Sequence, residues 1–290
     1  MNIIDSNSGK NRLKMNRIKL QDYDLNMTLL GGQSFAWDFI DGFYYGFVQD
    51  SIIKLKIENN FLYWQTYPQK DNYSLVKNYL RLNVPYLKIV KKISKDKHIK
   101  SAIKKHPGLR LLKQDFEETL FSFLVSTNNN IKSIRKIIRA LNRKFGRKII
   151  VDSHDFFLFP KAEAIANAKL EDLLSCKLGF RAKYLKGAAK HLLKVNLSSN
   201  IHNQSLIRDE LLKINGVGEK ITDCVLVFGL GFDDVTPLDV WAKRVFVNLY
   251  KLNPKIKYDD MRKWVSNYFE GYAGWAGQFL FEYARTIKLI

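Results

Sequence analysis

Residues 211–241 read Leu-Leu-Lys-Ile-Asn-Gly-Val-Gly-Glu-Lys-Ile-Thr-Asp-Cys-Val-Leu-Val-Phe-Gly-Leu-Gly-Phe-Asp-Asp-Val-Thr-Pro-Leu-Asp-Val-Trp, and their pattern decides how the chain is built. An apolar helical stretch ends at Ile214, a Gly216-Val217-Gly218 hairpin follows, and a second apolar helix runs from about Lys220 to Phe228. Glycine tolerates positive φ and close backbone approach, so the hairpin can turn its amides outward where the second helix begins. Free N–H groups at a helix N-terminus are a ready site for phosphate. Lys220 sits in the first turn of that helix, and Asp239 follows nineteen residues later, just after Pro237. An amine and a carboxylate flanking a phosphate-binding hairpin point to chemistry on a nucleic acid.

The charge balance agrees. In 290 residues, 48 Lys+Arg stand against 28 Asp+Glu, a net charge of +20. Such an excess favours polyanions, either nucleic acid or an anionic membrane surface. Solvated lysines with no partner are the plainer alternative. The only cysteines, Cys176 and Cys224, lie far apart in sequence, so the chain cannot by itself build a four-cysteine zinc site or iron–sulfur cluster. Nor do they make a disulfide framework, which fits a reducing cytoplasm, nucleoid-associated if the cell is prokaryotic. No run approaches the ~18 apolar residues of a membrane span, so no membrane contact is expected. Residues 1–20 are polar and basic, and are expected to form a flexible arm.

From Phe35 the pattern is strand-like. Phe35–Ile40, Phe43–Val48, Ser51–Ile57 and Phe61–Tyr67 are β-branched or aromatic runs, broken at Asp41-Gly42, Gln49-Asp50 and Asn59-Asn60. They predict an antiparallel meander, with room for an added strand before Gly31-Gly32. Its aromatics are expected in the core and on the sheet surface, not as a base-stacking platform. After Pro68 the period turns helical, with amphipathic segments at Tyr73–Leu80 and Tyr86–Ile93 and a basic run from Lys88 to Lys105. His106-Pro107-Gly108 marks a boundary, and the remainder reads as helices. Asp115 and Glu118 have capping-box spacing, and a stripe from Ile131 to Phe145 ends at Gly146. Later helices fall near Ala162–Asn167, Leu170–Leu174, Ala182–Leu193, Trp241–Tyr250 and Asp259–Ile287. The expected fold class is α+β: a small N-terminal antiparallel β-sheet domain (21–107, with flanking helices) followed by a larger all-helical domain (108–290).

The hairpin, Lys220 and Asp239 together resemble the helix–hairpin–helix DNA glycosylase superfamily. Further segments narrow the resemblance to the 8-oxoguanine DNA glycosylase/lyase family. They are Gly32-Gln33-Ser34-Phe35, Gly108-Leu-Arg-Leu-Leu-Lys-Gln-Asp115, Phe121-Ser122-Phe123 through Asn128-Asn129-Asn130-Ile131, Leu178-Gly179-Phe180-Arg181-Ala182 and Tyr272-Ala273-Gly274-Trp275-Ala276. They occur in the family's order and cover nearly the whole chain beyond the basic arm.

The resemblance implies a base-excision enzyme acting on double-stranded DNA that contains 8-oxoguanine, as a monomer, with no organic cofactor and no required metal. Lys220 matches the nucleophile that displaces the base and forms a Schiff base. The amine must shed its proton to attack, which asks for desolvation or neighbouring positive charge. Asp239 matches the carboxylate that stabilises the sugar's developing positive charge. By its spacing alone Asp239 is also a good N-cap for the helix carrying Trp241. A base inside a duplex must be extruded before it can be cut. Asn128 matches the residue that enters the vacated space, Phe180 a wedge beside it, and Arg181 a reader of the orphaned cytosine. Gly216, Val217 and Gly218 would grip the DNA backbone. Gly32 matches the glycine whose carbonyl accepts the proton that 8-oxoguanine carries and guanine lacks. Phe281 and Cys224 match the two sides of a sandwich around the base.

The sequence departs from the family pattern in three places. A second cytosine-reading arginine aligns with Ser133, although Lys132 and Arg135 lie close, so a weaker preference for cytosine opposite the lesion is expected. A base-edge glutamine aligns with Gly277, while Gln278 stands one residue later. Trp241 replaces a histidine that helps hold a phosphate. Two other readings stay open: a non-catalytic helix–hairpin–helix DNA-binding protein, and a glycosylase for another damaged purine.

Overall fold

In the computed structural model, residues 15–195 and 202–289 are described. An antiparallel five-stranded sheet, order β1-β5-β4-β3-β2, comes first: β1 (Asn16–Lys19), β2 (Trp37–Ile40), β3 (Phe43–Val48), β4 (Ser51–Glu58) and β5 (Phe61–Tyr67). The turns lie where their chemistry demands, with positive φ at Asp41, Gly42, Gln49, Asn59 and Asn60. The expected added strand is β1, which pairs with residues 61–64 of β5. This corrects the extent of the basic arm, because residues 16–19 belong to the sheet and residues 1–14 lie outside the described part. The first strand of the meander starts at Trp37, two residues later than its apolar run. Trp37, Tyr45, Phe47 and Trp64 are buried, as expected of core aromatics. Trp37 lies flat on Gly46, where any Cβ would meet the indole at 2.4 Å.

Between β1 and β2 a short helix, α1 (Leu25–Leu30), is capped by Asp24, whose carboxylate accepts from the Met27 N–H at 2.9 Å. After the sheet come α2 (Tyr73–Tyr79), α3 (Tyr86–Ile93) and α4 (Lys97–Lys105). The basic run is thus divided between two amphipathic helices whose apolar sides, including Ile89, Ile93, Ile99 and Ala102, are buried. The second part of the chain is built on α5 (Phe116–Ser126), which is buried from residue 118 to 125. Asp115 caps α5 through the Glu118 N–H at 3.0 Å. Glu118 does not complete the box; it turns inward, and burial pushes its carboxyl well above the usual range.

Around α5 pack α6 (Ile131–Phe145), α7 (Ala162–Asn167), α8 (Leu170–Ser175), α9 (Arg181–Lys194), α10 (Gln204–Leu212) and α11 (Glu219–Cys224), with α12 (Val240–Tyr250), α13 (Tyr258–Tyr268) and α14 (Ala273–Thr286) beyond them. Two departures from the expected pattern concern this half. A hairpin of β6 (Lys148–Val151) and β7 (His154–Phe157) interrupts the helices. The long helix expected over Asp259–Ile287 is two helices, broken at Phe269–Tyr272 where Glu270 and Gly271 take positive φ. The expected boundary at 107/108 falls in a turn, and packing crosses it: α4 lies on α14, and one hydrophobic core runs through both halves. Among the described residues no helix is long and apolar enough to cross a membrane.

Candidate active site

The site starts from the hairpin between α10 and α11. Gly216 has φ +90°, and a Cβ there would meet the Tyr184 ring of α9 at 2.6 Å, so glycine is required twice over. Val217 N–H closes the turn onto Ile214 O at 3.0 Å. Gly218 is the extended N-cap of α11, with open space where its side chain would be. These features set α11 pointing into the molecule with free amides at its start.

A buried network fixes the helix in rotation. Arg208 of α10 reaches Glu219 at 2.6 Å and also binds Asp223, which is fully buried. Tyr258 Oη donates to the other Asp223 oxygen at 2.5 Å and accepts the Leu238 N–H at 3.3 Å. The helix bearing Lys220 is thereby tied to the loop bearing Asp239. Burial still raises the Asp223 carboxyl above its ordinary value, although Arg208 and Tyr258 pull the other way. Beyond Cys224 the helix widens into a π-helical stretch, Val225–Leu230, ending at Gly231 in the left-handed region (φ +83°).

The far face of α11 opens on a cavity of about 740 Å³. Its walls include Lys220, Asp239, Cys224, Gly32, Phe281 and Gln278, so both residues expected to do chemistry and all four expected to hold a base share one space. The Lys220 amine lies 5.0 Å from the centre of the Phe123 ring. Burial pushes the Cys224 thiol up to about 12, while the Lys220 amine beside it pulls down and Asp223 and Asp239 push further up. The thiol is therefore a neutral, shape-giving wall. Asp239 caps α12 by accepting the Ala242 N–H at 2.8 Å on Oδ1. The capping role and the cavity-facing role are thus held together.

Gly32 has φ +103°, and a Cβ built on it would lie 3.1 Å from Ile131 Cδ1 and 4.0 Å from Phe281 Cε1. The N-terminal glycine and the C-terminal phenylalanine are neighbours across the cavity. On α14, Gly274 and Gly277 press onto the segment leading to Asp239: a Cβ on Gly277 would lie 1.9 Å from Thr236 Oγ1. A glutamine cannot occupy position 277 in this packing. The amide stands at Gln278 instead, and its Nε2 is buried with no hydrogen-bond partner among the described residues. A buried amide left unpaired is costly unless something fills the site.

Asn128, Phe180 and Arg181 lie together outside the cavity. Asn128 takes a left-handed φ of +49°, the next helix being capped by Asn130. Phe180 is half exposed beneath the Arg181 guanidinium at 4.5 Å. Arg181 donates through Nε and Nη2 to Thr127 O (2.7 and 2.5 Å) and through Nη2 to Asn128 O (3.0 Å). It holds the asparagine loop in shape. Ser133 spends its N–H on the Asn130 cap, and Arg135 turns inward to Leu30 O at 3.4 Å. Of the two basic residues near Ser133, Lys132 lines the cavity and Arg135 is engaged with α1. Trp241, more than a third exposed, lies at the cavity's edge with Arg244 4.7 Å from its ring.

Sequence reasoning missed Phe123, Arg208, Tyr258 and Arg285. The first is signalled only by the Phe121-Ser122-Phe123 segment; the others act through partners on other elements. Among the described residues no group of three or more His, Cys, Asp or Glu is placed to hold a metal.

Comparison with known proteins bears on this geometry. Residues 15–120 match the family model described as 8-oxoguanine DNA glycosylase, N-terminal domain, and residues 121–270 match that of the HhH-GPD superfamily base excision DNA repair protein. An N-glycosylase/DNA lyase of Saccharomyces cerevisiae is 31% identical over 60% of this chain, which spans only 56% of that protein's length. MBOgg1, solved with a low-affinity DNA ligand, is 34% identical with a TM-score of 0.88, over 95% of this chain and 100% of its own. The 8-oxoguanine glycosylase/lyase of Clostridium acetobutylicum, solved with DNA bearing cytosine opposite 8-oxoG, is 27% identical with a TM-score of 0.86, at the same coverage. Matched by these family models and by MBOgg1 over nearly its whole length, the chain belongs to the 8-oxoguanine DNA glycosylase/lyase family of the helix–hairpin–helix superfamily.

Proposed function

We propose that the protein extrudes 8-oxoguanine from duplex DNA, excises it and nicks the strand. One observation carries this: Lys220 and Asp239 line the same cavity as Gly32 and Phe281, which come from opposite ends of the chain. The Lys220 nitrogen bonds to C1′ of the extruded nucleotide as the bond from C1′ to the base breaks, the base leaving with the electron pair and taking up a proton. Asp239, negatively charged and fixed by its cap, steadies positive charge on the sugar. Opening of the ring and loss of the amine proton give a Schiff base. Loss of a C2′ proton then expels the 3′ phosphate, and hydrolysis frees Lys220.

Gly216 to Gly218 would hold the backbone through the free amides of α11, and Asn128 with Phe180 would fill the space left by the base. Gln278 supports the base reading because its unpaired Nε2 needs an acceptor. With Ser133 small and Arg135 spent on α1, a single arginine, Arg181, remains to read the opposite cytosine. It must exchange part of its hold on Thr127 O and Asn128 O to do so. The opposite-base preference is accordingly relaxed. A purely DNA-binding role would need neither the amine nor the cavity.

Borohydride trapping on an 8-oxoguanine duplex tests the mechanism. A covalent adduct should form with the native chain and vanish in Lys220→Gln; no adduct with the native chain would overturn it. The same duplex with each of the four bases opposite the lesion should give single-turnover rates within about a hundredfold of each other, the range that the one remaining bidentate contact can supply. Cleavage opposite cytosine alone would remove the relaxed preference. Efficient excision of an alkylated purine with 8-oxoguanine untouched would favour the other damaged-base reading.

A further inference from the structure

We propose that Arg285 is a specificity-determining positioning residue, clasping the Gly31–Gly32 corner to α14 and so setting the slot in which the extruded base is read. The inference rests on the reading of the cavity as a base pocket and adds a residue to it.

The starting point is an unmet need of the backbone. Helix α1 ends at Leu30, and the last carbonyls of a helix lack donors within it. Two arginines from distant parts of the chain supply them. Arg135 of α6 donates to Leu30 O at 3.4 Å, and Arg285 of α14 donates through Nη1 to Gly31 O at 3.1 Å. Cations at a helix C-terminus are also favoured by its dipole.

The contact between corner and helix is close. A Cβ on Gly31 would lie 2.3 Å from Met27 O and 2.7 Å from Glu282 Oε1, so only glycine fits. Glu282 is buried and accepts from the same Arg285 Nη1 on both oxygens, at 3.3 and 3.1 Å. An i, i+3 pair on a surface helix contributes little by itself. Here the carboxylate sets the guanidinium's position and the guanidinium holds a carbonyl of another element, which makes the pair a clasp.

The clasp lies where it matters for reading a base. Arg285 lines the cavity, and its guanidinium is 5.7 Å from the centre of the Phe281 ring. One side chain therefore touches the peptide beside Gly32 and stands over Phe281. Those two walls are close enough that a Cβ on Gly32 would touch the Phe281 ring. Telling 8-oxoguanine from guanine by one backbone hydrogen bond tolerates little drift of that carbonyl.

Fluorescence-anisotropy titration in the Lys220→Gln background measures affinity for an 8-oxoguanine duplex against the same duplex with guanine. Arg285→Met should lower that ratio by about tenfold, the effect of losing one charge-assisted hydrogen bond. Arg285→Lys, which can still reach the carbonyl, should recover part of it. With Lys220 restored, Arg285→Met should slow base excision more than nicking at a pre-formed abasic site, which has no base to seat. An unchanged ratio in folded Arg285→Met would overturn the proposal. Should that variant fail to fold, Glu282→Gln compared with the native chain at about pH 8 is decisive in its place, because there it removes the carboxylate that holds the guanidinium while keeping side-chain volume. A ratio unchanged there would equally overturn it. Phe281→Ala separates the two levels: if it leaves 8-oxoguanine preference intact, the base-pocket reading itself fails. If it removes the preference while the Arg285 variants do not, only the clasp fails.

Discussion

Asp239 shows how one side chain can serve structure and chemistry, and how the two can be separated. Its Oδ1 starts α12 by accepting the Ala242 N–H, and the residue lines the cavity with Lys220. Asparagine caps a helix about as well as aspartate does, so Asp239→Asn should keep α12 in place and remove only the charge. We expect base excision to slow by about a hundredfold or more, with duplex affinity and melting temperature nearly unchanged. Asp239→Ala should in addition cost about 1 kcal/mol of stability for the lost cap. Single-turnover rates set beside thermal melts check both, and equal rates for Asn and Asp would remove the charge from the mechanism. At this scale the sequence was most readable where function depends on local spacing. Lys220 and Asp239 stand out because a first-turn lysine and a cap after proline are local patterns. The place of Gln278 was not readable, since it depends on how closely Gly277 meets Thr236. Arg285 carried no signal at all. An arginine near the end of a helix is ordinary, and its partner Gly31 lies 254 residues away.

The elements that build the site are held at close quarters by small residues, and α14 is the clearest case. Gly274 N–H donates to Asp233 O at 2.8 Å, and Gly274 and Gly277 bring the helix onto the 233–237 segment that delivers Asp239. A methyl on Gly277 has nowhere to go, because Thr236 Oγ1 would be 1.9 Å away. Gly277→Ala should push α14 away from the loop, costing about 1–3 kcal/mol, the usual range for overpacking. It should lower excision more than affinity, because Asp239 and Gln278 move relative to Lys220. Gly187→Ala on α9, with open space around its Cβ, is the control for glycine replacement as such. If the two variants melt and cut alike, the close contact does not govern the site. The same reasoning explains which elements could be read in advance. The meander was legible because Asp41-Gly42 and Asn59-Asn60 announce their turns chemically. The β6–β7 hairpin was not, because its turn places Asp152 and Ser153 at positive φ with no glycine to mark it. The π-helical end of α11 depends on tertiary contacts such as Gln114 N–H donating to Phe228 O, which no local pattern encodes.

For the molecule as a whole, the seam between its N-terminal and C-terminal parts should make stability depend on pH in a particular direction. Glu282 lies in that seam between the Gly31 corner, Arg285 and the end of α4. Burial raises its carboxyl from 4.5 to about 7, with Arg285 opposing the shift only in part. The other titratable group against the same turn is His106, whose ring meets Thr286 Oγ1 at 3.0 Å and whose burial lowers its affinity for a proton. A carboxyl that holds its proton more tightly folded than unfolded makes the folded state the more protonated one across that interval. Stability from this group is then full below about pH 4.5 and is lost as pH rises towards and through 7. The loss amounts to at most about 3 kcal/mol for a shift of this size. Salt-bridged carboxylates such as Asp152, lowered by Lys54 and Tyr45 against the effect of burial, act in the opposite sense at lower pH. The two trends therefore occupy different windows. Urea denaturation of the native chain and of Glu282→Gln between pH 5 and 8 isolates the first. The native chain should lose stability relative to the variant as pH rises, most steeply midway between 4.5 and about 7 and levelling off above 7, while His106 titrates alike in both and cancels. Parallel curves would mean that Glu282 is ionised throughout that range, and the clasp would then be a permanent ion pair, not one that forms fully only towards neutral pH.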